Sequence, residues 1–277
     1  INRRVVVRML AYLRPYRWKM LAALALTLGE SALTLLTPYL LNWHIPEEQV
    51  FVFDVLVQIG TLVAVIAYFW SDLWAILTGF LSSFWKREAY QRQEVRMGLY
   101  LILATVPAVV LGMLFKDTVE AAFSSPTFTV LALVFTAVLM IAAELVSKRS
   151  RELEDLGWLD SVVIGVFQAL ALFPGVSRSG MTISGGMFRS LDRPAAARFS
   201  FLLSVPVMLG AGGLAVLDLF EVPDLGTFLL PMAVGFVTAA LVGYLSIRWL
   251  LHYLANHPLS NFSIYLIVIS MLILIFK

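Results

Sequence analysis

A succession of uncharged runs, several of them long enough to cross a bilayer, constrains this chain more than any other feature. Met97 to Phe115 and Ala121 to Ala143 contain no Asp, Glu, Lys or Arg, and about 20 apolar residues carry a helix across the hydrocarbon core. The other runs are Met20 to Gly29 followed by Ser31 to Asn42, Val55 to Ser71, Phe199 to Leu217, Leu225 to Ile247, and Pro258 to Phe276. With no water to pair with, the backbone of such segments must bond within itself, so helices are required. Leu73 to Trp85 is also uncharged but short, and is expected to be interfacial or re-entrant. The 277 residues are 60% hydrophobic and 14% charged, against about a quarter charged in soluble domains. A water-soluble enzyme and a disordered chain are both excluded. The expected fold is an all-α polytopic membrane protein with about seven membrane-crossing helices.

The 20 Lys and Arg against 18 Asp and Glu leave a net charge of +2, too small for a nucleic-acid binder. The absence of cysteine removes disulfides and thiolate chemistry. The first apolar stretch has no small-residue cleavage site after it, so it is expected to remain in the membrane. With the N-terminus inside, segments 1–19, 71–96, 148–160, 189–198 and 248–257 are cytoplasmic and hold 17 of the 20 basic residues. The outer loops carry Lys116 and a set of carboxylates, as the positive-inside rule demands.

That orientation leaves residues 161–188 with basic, inside segments on both flanks. Two full crossings need about 40 residues, so a stretch of this length must enter and return as a re-entrant hairpin. Its centre reads Phe173-Pro174-Gly175-Val176-Ser177-Arg178-Ser179-Gly180, with Pro and Gly where a turn between two short helices needs them. Irregular backbone at membrane depth persists only beside protein or a wet cavity, and an arginine there calls for an anion. Ser177 and Ser179 add hydroxyls, Gly175 and Gly180 let a ligand approach the main chain, and Thr182 lies one turn on. A helix beginning here would present free N–H groups to the tip, which together with a guanidinium favours phosphate. The plainer alternative is that Arg178 pairs with a buried carboxylate and the small residues serve helix packing.

The stretch Gln168 to Gly186, with Pro174-Gly175-Val176-Ser177-Arg178-Ser179-Gly180 at its heart, resembles a signature of the bacterial undecaprenyl-diphosphate phosphatase family, the bacitracin-resistance phosphatases. Phe53 to Leu62, Val106 to Gly112, and Ala196 to Pro206 resemble the same family in the same order, so the resemblance covers about residues 51–277. It implies hydrolysis of a polyprenyl diphosphate lipid to the monophosphate, regenerating the lipid carrier for peptidoglycan precursors. It also implies two inverted repeats in the bacterial inner membrane, with a cleft open to the outer face. In that reading Arg178 neutralises the diphosphate, Ser177 and Ser179 share the catalytic turn, and Gly175, Gly180 and Thr182 bind substrate.

The family's other signature, Glu-x-x-x-Glu followed by Pro-Val-Ser-Ser-Thr-Gly-His, is missing from its expected place before residue 51. Glu30 has Thr34 four residues on, and Pro38 and His44 keep the proline-to-histidine spacing while Leu40 and Leu41 occupy serine positions. Residues 3–41 instead resemble the opening of an ATP-binding-cassette exporter, with a basic approach through Arg14, Arg17 and Lys19 suited to an anionic leaflet. Residues 1–50 are therefore read as an atypical anchor and first transmembrane helix, and the first repeat as atypical. Arg178 cannot act as a base, so Glu30 and His44 are the candidates for acid–base work or metal ligation, with a divalent cation, Mg or Ca, as the natural partner of carboxylates. Glu144 is expected to face Lys148 and Arg149 at the inner surface. The partners are the lipid diphosphate and the bilayer, and a homodimer is left open. A second function class is a transporter or lipid-binding carrier without hydrolysis, since broken elements near the midplane also form transport sites. An exporter subunit is disfavoured by the lack of a Gly-x-x-x-x-Gly-Lys phosphate loop. A phosphatase using a downstream histidine has only His252 and His257 to offer, both on the inner side.

Overall fold

The computed structural model describes residues 47–83, 92–219 and 225–276. The chain divides into two units, 1–53 and 54–277, and apart from the first residues of its first helix the description below concerns the second. Among the described residues, regular structure is helical apart from one isolated bridge between Arg151 and Leu191 and a 3-10 turn at Leu153–Asp155. In chain order the helices are α1 (Glu47–Tyr68), α2 (Trp70–Ser83), α3 (Gln93–Leu114), α4 (Lys116–Phe123), α5 (Pro126–Val146), α6 (Trp158–Leu170), α7 (Arg178–Phe188), α8 (Arg193–Leu219), α9 (Leu225–Asn256) and α10 (Ser260–Phe276).

Gln93–Leu114, Pro126–Val146 and Ala233–Asn256 are each long and apolar enough to cross a bilayer. Val55–Tyr68 and Trp70–Ser82 pass the same test only as a pair, bent by 80°. The short uncharged run after Val55–Ser71 is thus the second arm of a broken element. Helix α1 begins at Glu47 rather than near Val55, and α9 runs through the segment 248–257 that the charge pattern assigns to an inside loop. Both extensions are helical continuations that hydropathy alone does not register, because charged residues end an apolar run without ending a helix.

Away from their ends, the long helices expose mainly apolar side chains, Met113 at 79% and Leu145 at 80% among them, which suits lipid as the surrounding solvent. The buried faces mix a few large apolar side chains with many small residues. Helix α3 turns Gly98, Ala104 and Ala108 inward, and α5 turns Ala132, Thr136, Ala137 and Ala143 inward. Small residues let backbones close up where hydrophobic segregation from lipid contributes little. At Gly165 a side chain would run into the Ala104 carbonyl, the Cβ position lying 2.5 Å from that oxygen.

The stretch expected to form a re-entrant hairpin is interrupted as anticipated. Helix α6 ends at Leu170, α7 starts at Arg178, and irregular backbone lies between them. Helix α6 packs on α3, and α7 contacts α5, α6 and α8. Helix α7 is an intrinsically weak helix, with Gly180, Gly185 and Gly186 among its 11 residues, each less favourable than Ala by about 1 kcal/mol. Its environment holds it in shape. The Cβ positions at Gly185 and Gly186 lie 3.1 Å from Phe167 Cβ and 3.0 Å from Ala196 Cβ, so α6 and α8 press directly on its backbone.

Candidate active site

The tip of the hairpin is built by a short sequence of turns. Ala171, Leu172 and Phe173 donate back to Gln168, Ala169 and Leu170, and Val176 donates to Phe173. Gly175 has φ +85, a region that favours glycine, and the Thr129 carbonyl occupies the space a side chain would fill. Ser177 then caps α7, its Oγ accepting from the Gly180 amide at 3.2 Å, an arrangement that starts a helix by satisfying one of its orphan donors. Arg178 and Ser179 follow immediately, so they stand in the first turn, where the remaining free N–H groups of α7 also point.

The depth of the tip follows from its neighbours. Leu172 lies beside Gly112 near the end of α3, and Phe173 meets Phe128 near the start of α5 with ring centroids 5.7 Å apart. Those helix ends flank Lys116–Phe123, the stretch the charge pattern places outside. Gly180, in contrast, sits against Thr136 and Met140 in the middle of α5. Arg178 therefore lies near the middle of α5, at the start of a helix running back toward the inner side.

Arg178 is half-buried, and among the described residues its guanidinium has no hydrogen-bond or ion-pair partner. The other buried or half-buried arginines in this region are paired, whereas the plainer reading of Arg178 as one half of a buried ion pair finds no carboxylate among the described residues. Ser179 is exposed and Ser177 half-buried, both at the mouth of the turn. Thr182 is placed differently. It is buried, its Oγ1 donates to the Arg178 carbonyl at 2.9 Å, and it lies 2.6 Å from Ser200 Oγ of α8. The structure thus brings Ser177, Arg178, Ser179, Gly175 and Gly180 to one turn and sets the Thr182 hydroxyl into the helix packing.

Glu30 and His44 lie outside the described residues. Among the described residues no three His, Asp or Glu side chains gather into a cluster that could hold a metal ion, so the donor set for the expected Mg or Ca is not assembled among them.

At the inner end, charged groups form two clusters, one around Glu144 and one around Asp160, which the sequence reading left aside. Glu144 bonds to Arg149 at 2.6 Å, to Arg193, and to the Leu259 amide at 2.9 Å. The expected partner Arg149 is there, while Arg193 rather than Lys148 completes the cluster. Asp160, 1% exposed, accepts from Arg189 Nε at 2.6 Å, Arg151 at 2.7 Å and the Gly157 amide at 2.8 Å. The hydrogen bond that Arg151 donates to Asp160 holds the pKa of the Arg151 guanidinium above its ordinary value. Asp160 and Arg189 immediately flank the stretch 161–188 whose length betrays the hairpin, and their opposite charges on either side of a return path were the signal available in the sequence.

The family model described as bacitracin resistance protein BacA matches residues 30–272, reaching further toward the N-terminus than the resemblance over about residues 51–277 and taking in Glu30 and His44. A protein of Corynebacterium efficiens named undecaprenyl-diphosphatase is 42% identical over 225 residues, covering 80% of this chain and 76% of the relative. Proteins of the same name from Chlorobium phaeobacteroides and Moorella thermoacetica are each 38% identical, covering 90% of this chain and 90% of the relative. With a family model and such relatives spanning most of its length, the chain belongs to the BacA bacitracin resistance protein family.

Proposed function

We propose that this chain is an integral membrane phosphatase that hydrolyses undecaprenyl diphosphate to undecaprenyl phosphate and inorganic phosphate. The observation that carries the reading is the half-buried guanidinium of Arg178 at the start of a capped helix, without a hydrogen-bond or ion-pair partner among the described residues, within a family whose similar members are named for this activity. A fixed cation beside free helix N–H groups, sheltered from bulk water, is arranged in advance for the charge that a phosphoryl group spreads over its oxygens in the transition state.

The step adds water across the anhydride. A bond forms between the attacking oxygen and the terminal phosphorus, the bond from that phosphorus to the bridging oxygen breaks, and the bridging oxygen stays with the lipid monophosphate. Arg178 holds the phosphoryl oxygens, with Ser177 and Ser179 hydrogen-bonding beside it and Gly175 and Gly180 keeping the approach clear. Thr182 serves this reading by tying the first turn of α7 to α8. A guanidinium takes no proton from water at neutral pH. Glu30 or His44, both within the family match, is assigned that task, and a divalent cation would be held by the same N-terminal segment.

The finer architecture belongs to the same proposal: about seven crossings in inverted repeats, an atypical first repeat, residues 1–50 as a basic anchor, and a cleft open to the outer face of the bacterial inner membrane. Contacts of Leu172 and Phe173 with the ends of α3 and α5 that flank the base-poor loop support the outer opening. The test is phosphate release from undecaprenyl diphosphate by the purified protein in detergent. Release that falls by orders of magnitude in Arg178→Ala supports the assignment. Arg178-dependent binding of the lipid without release would instead mark a carrier.

A further inference from the structure

We infer that Asp160 is a positioning residue for the proposed phosphatase reaction, acting through Arg189 to set the aim of the helix that carries Arg178. This rests on the phosphatase reading above and goes beyond it, since Asp160 lies at the opposite end of the hairpin from the reacting groups.

Helix α7 has two ends to fix, and each is fixed by polar groups. Its N-terminus is capped by Ser177. Its C-terminus is Phe188, followed by Arg189 at the C-cap and Ser190 at φ +67. Met181, Ile183 and Met187 are buried, and α6 and α8 press on Gly185 and Gly186, so apolar packing holds the body of the helix, while the groups beyond Phe188 that anchor its C-terminal end are polar. A polar clamp at the C-terminal end adds a fixed direction to that packing. Asp160 Oδ1 accepts from Arg189 Nε at 2.6 Å, and Oδ2 accepts from Arg151 at 2.7 Å and Gly157 at 2.8 Å. Arg151 in turn donates to the Arg189 carbonyl at 2.9 Å, and its own amide donates to the Ser190 carbonyl at 3.1 Å.

Every one of these groups belongs to the start of α6, the end of α7, or the strap between α5 and α6. The carboxylate therefore joins the two arms of the hairpin where they separate, while the turn at 171–177 joins them at the tip. An 11-residue helix is about 16 Å long, and a tilt of a few degrees at its clamped end displaces Arg178 by about an ångström, enough to lower a rate strongly when alignment matters. Glu144 offers a built-in comparison. It forms an ion cluster of the same size on the same inner side, with Arg149, Arg193 and the Leu259 amide, yet none of its partners lies on α7.

The experiment measures kcat, KM and the thermal transition of the full-length protein in detergent for Asp160→Asn, Arg189→Gln, their double variant, and Glu144→Gln. Expected is a fall in kcat of about tenfold or more for Asp160→Asn, with KM changed little, because misalignment is felt most in the transition state. Arg189→Gln should behave likewise, and the double variant should cost little more than either single change. Glu144→Gln should lower thermal stability while its folded fraction keeps kcat. A kcat for Asp160→Asn that tracks only the folded fraction, or one matched by Glu144→Gln, overturns the inference. Absence of phosphate release by the unaltered protein would instead remove the phosphatase reading, so the two failures are distinguishable. Where Asp160→Asn folds too poorly to assay, Asp160→Glu keeps the charge and must retain more kcat than Arg189→Gln, or the inference fails.

Discussion

Thr182 Oγ1 lies 2.6 Å from Ser200 Oγ, with both residues buried between α7 and α8. The hydroxyl that follows the Arg178 turn is therefore committed to a neighbouring helix. Thr182→Val keeps the shape and strips the hydroxyl, leaving Ser200 without that partner, a change that costs about 1–3 kcal/mol when a buried polar group loses its bond. Thermal unfolding in detergent should show the loss, while KM for the lipid diphosphate stays near its original value. A large rise in KM with unchanged stability would mean that Thr182 turns toward substrate.

Arg178 supplies charge and a flat fork of donors, and two substitutions separate these. Arg178→Ala should lower phosphate release by about 100-fold or more, the scale seen when one preorganised oxyanion donor is removed. Arg178→Lys keeps the charge and loses bidentate geometry, so its rate should fall between the two. Steady-state release of phosphate from the purified variants measures both. Equal rates for Lys and Ala would show that geometry, not charge, is what the site requires.

Much of this site is legible in the sequence because it follows from simple limits. Segment 161–188 is too short for two crossings and sits between basic flanks, so a hairpin centred on Pro174 and Gly175 is forced, and the structure breaks α6 from α7 there. What the sequence conceals is direction and pairing. Whether Thr182 faces the mouth or α8 depends on the rotation of a helix whose apolar pattern is diluted by glycine. Asp160 and Arg189 are far apart along the chain and become partners only once the hairpin closes. The inner limit of α9 was hidden because Arg248 interrupts an apolar run while the helix continues to Asn256.

Gly175 combines a φ of +85 with the Thr129 backbone in the place of a side chain. Gly175→Ala must adopt a conformation that costs an L-residue about 1–2 kcal/mol, and it must also push α5 away from the tip. Both effects act on the turn that aims Ser177 and Arg178. The variant should be less stable in thermal unfolding and should lose kcat by more than its unfolded fraction explains. Activity that falls only in step with folding would show that the tip tolerates displacement.

Ser177 has two roles that one pair of variants can separate. Its Oγ accepts from the Gly180 amide at 3.2 Å, fixing the first turn of α7, and the same hydroxyl lies in the turn proposed to hold the diphosphate. Ser177→Ala removes both roles, at about 1 kcal/mol for the cap, and should lower kcat along with stability. Ser177→Asp restores a cap, since a carboxylate is an equally good acceptor at a helix start, but it places a negative charge where the lipid's phosphates must bind. Recovery of thermal stability in Ser177→Asp, combined with a steep rise in KM that salt diminishes by screening the repulsion, is the expected result. An Asp variant that recovers both stability and turnover would place the diphosphate elsewhere than this helix start.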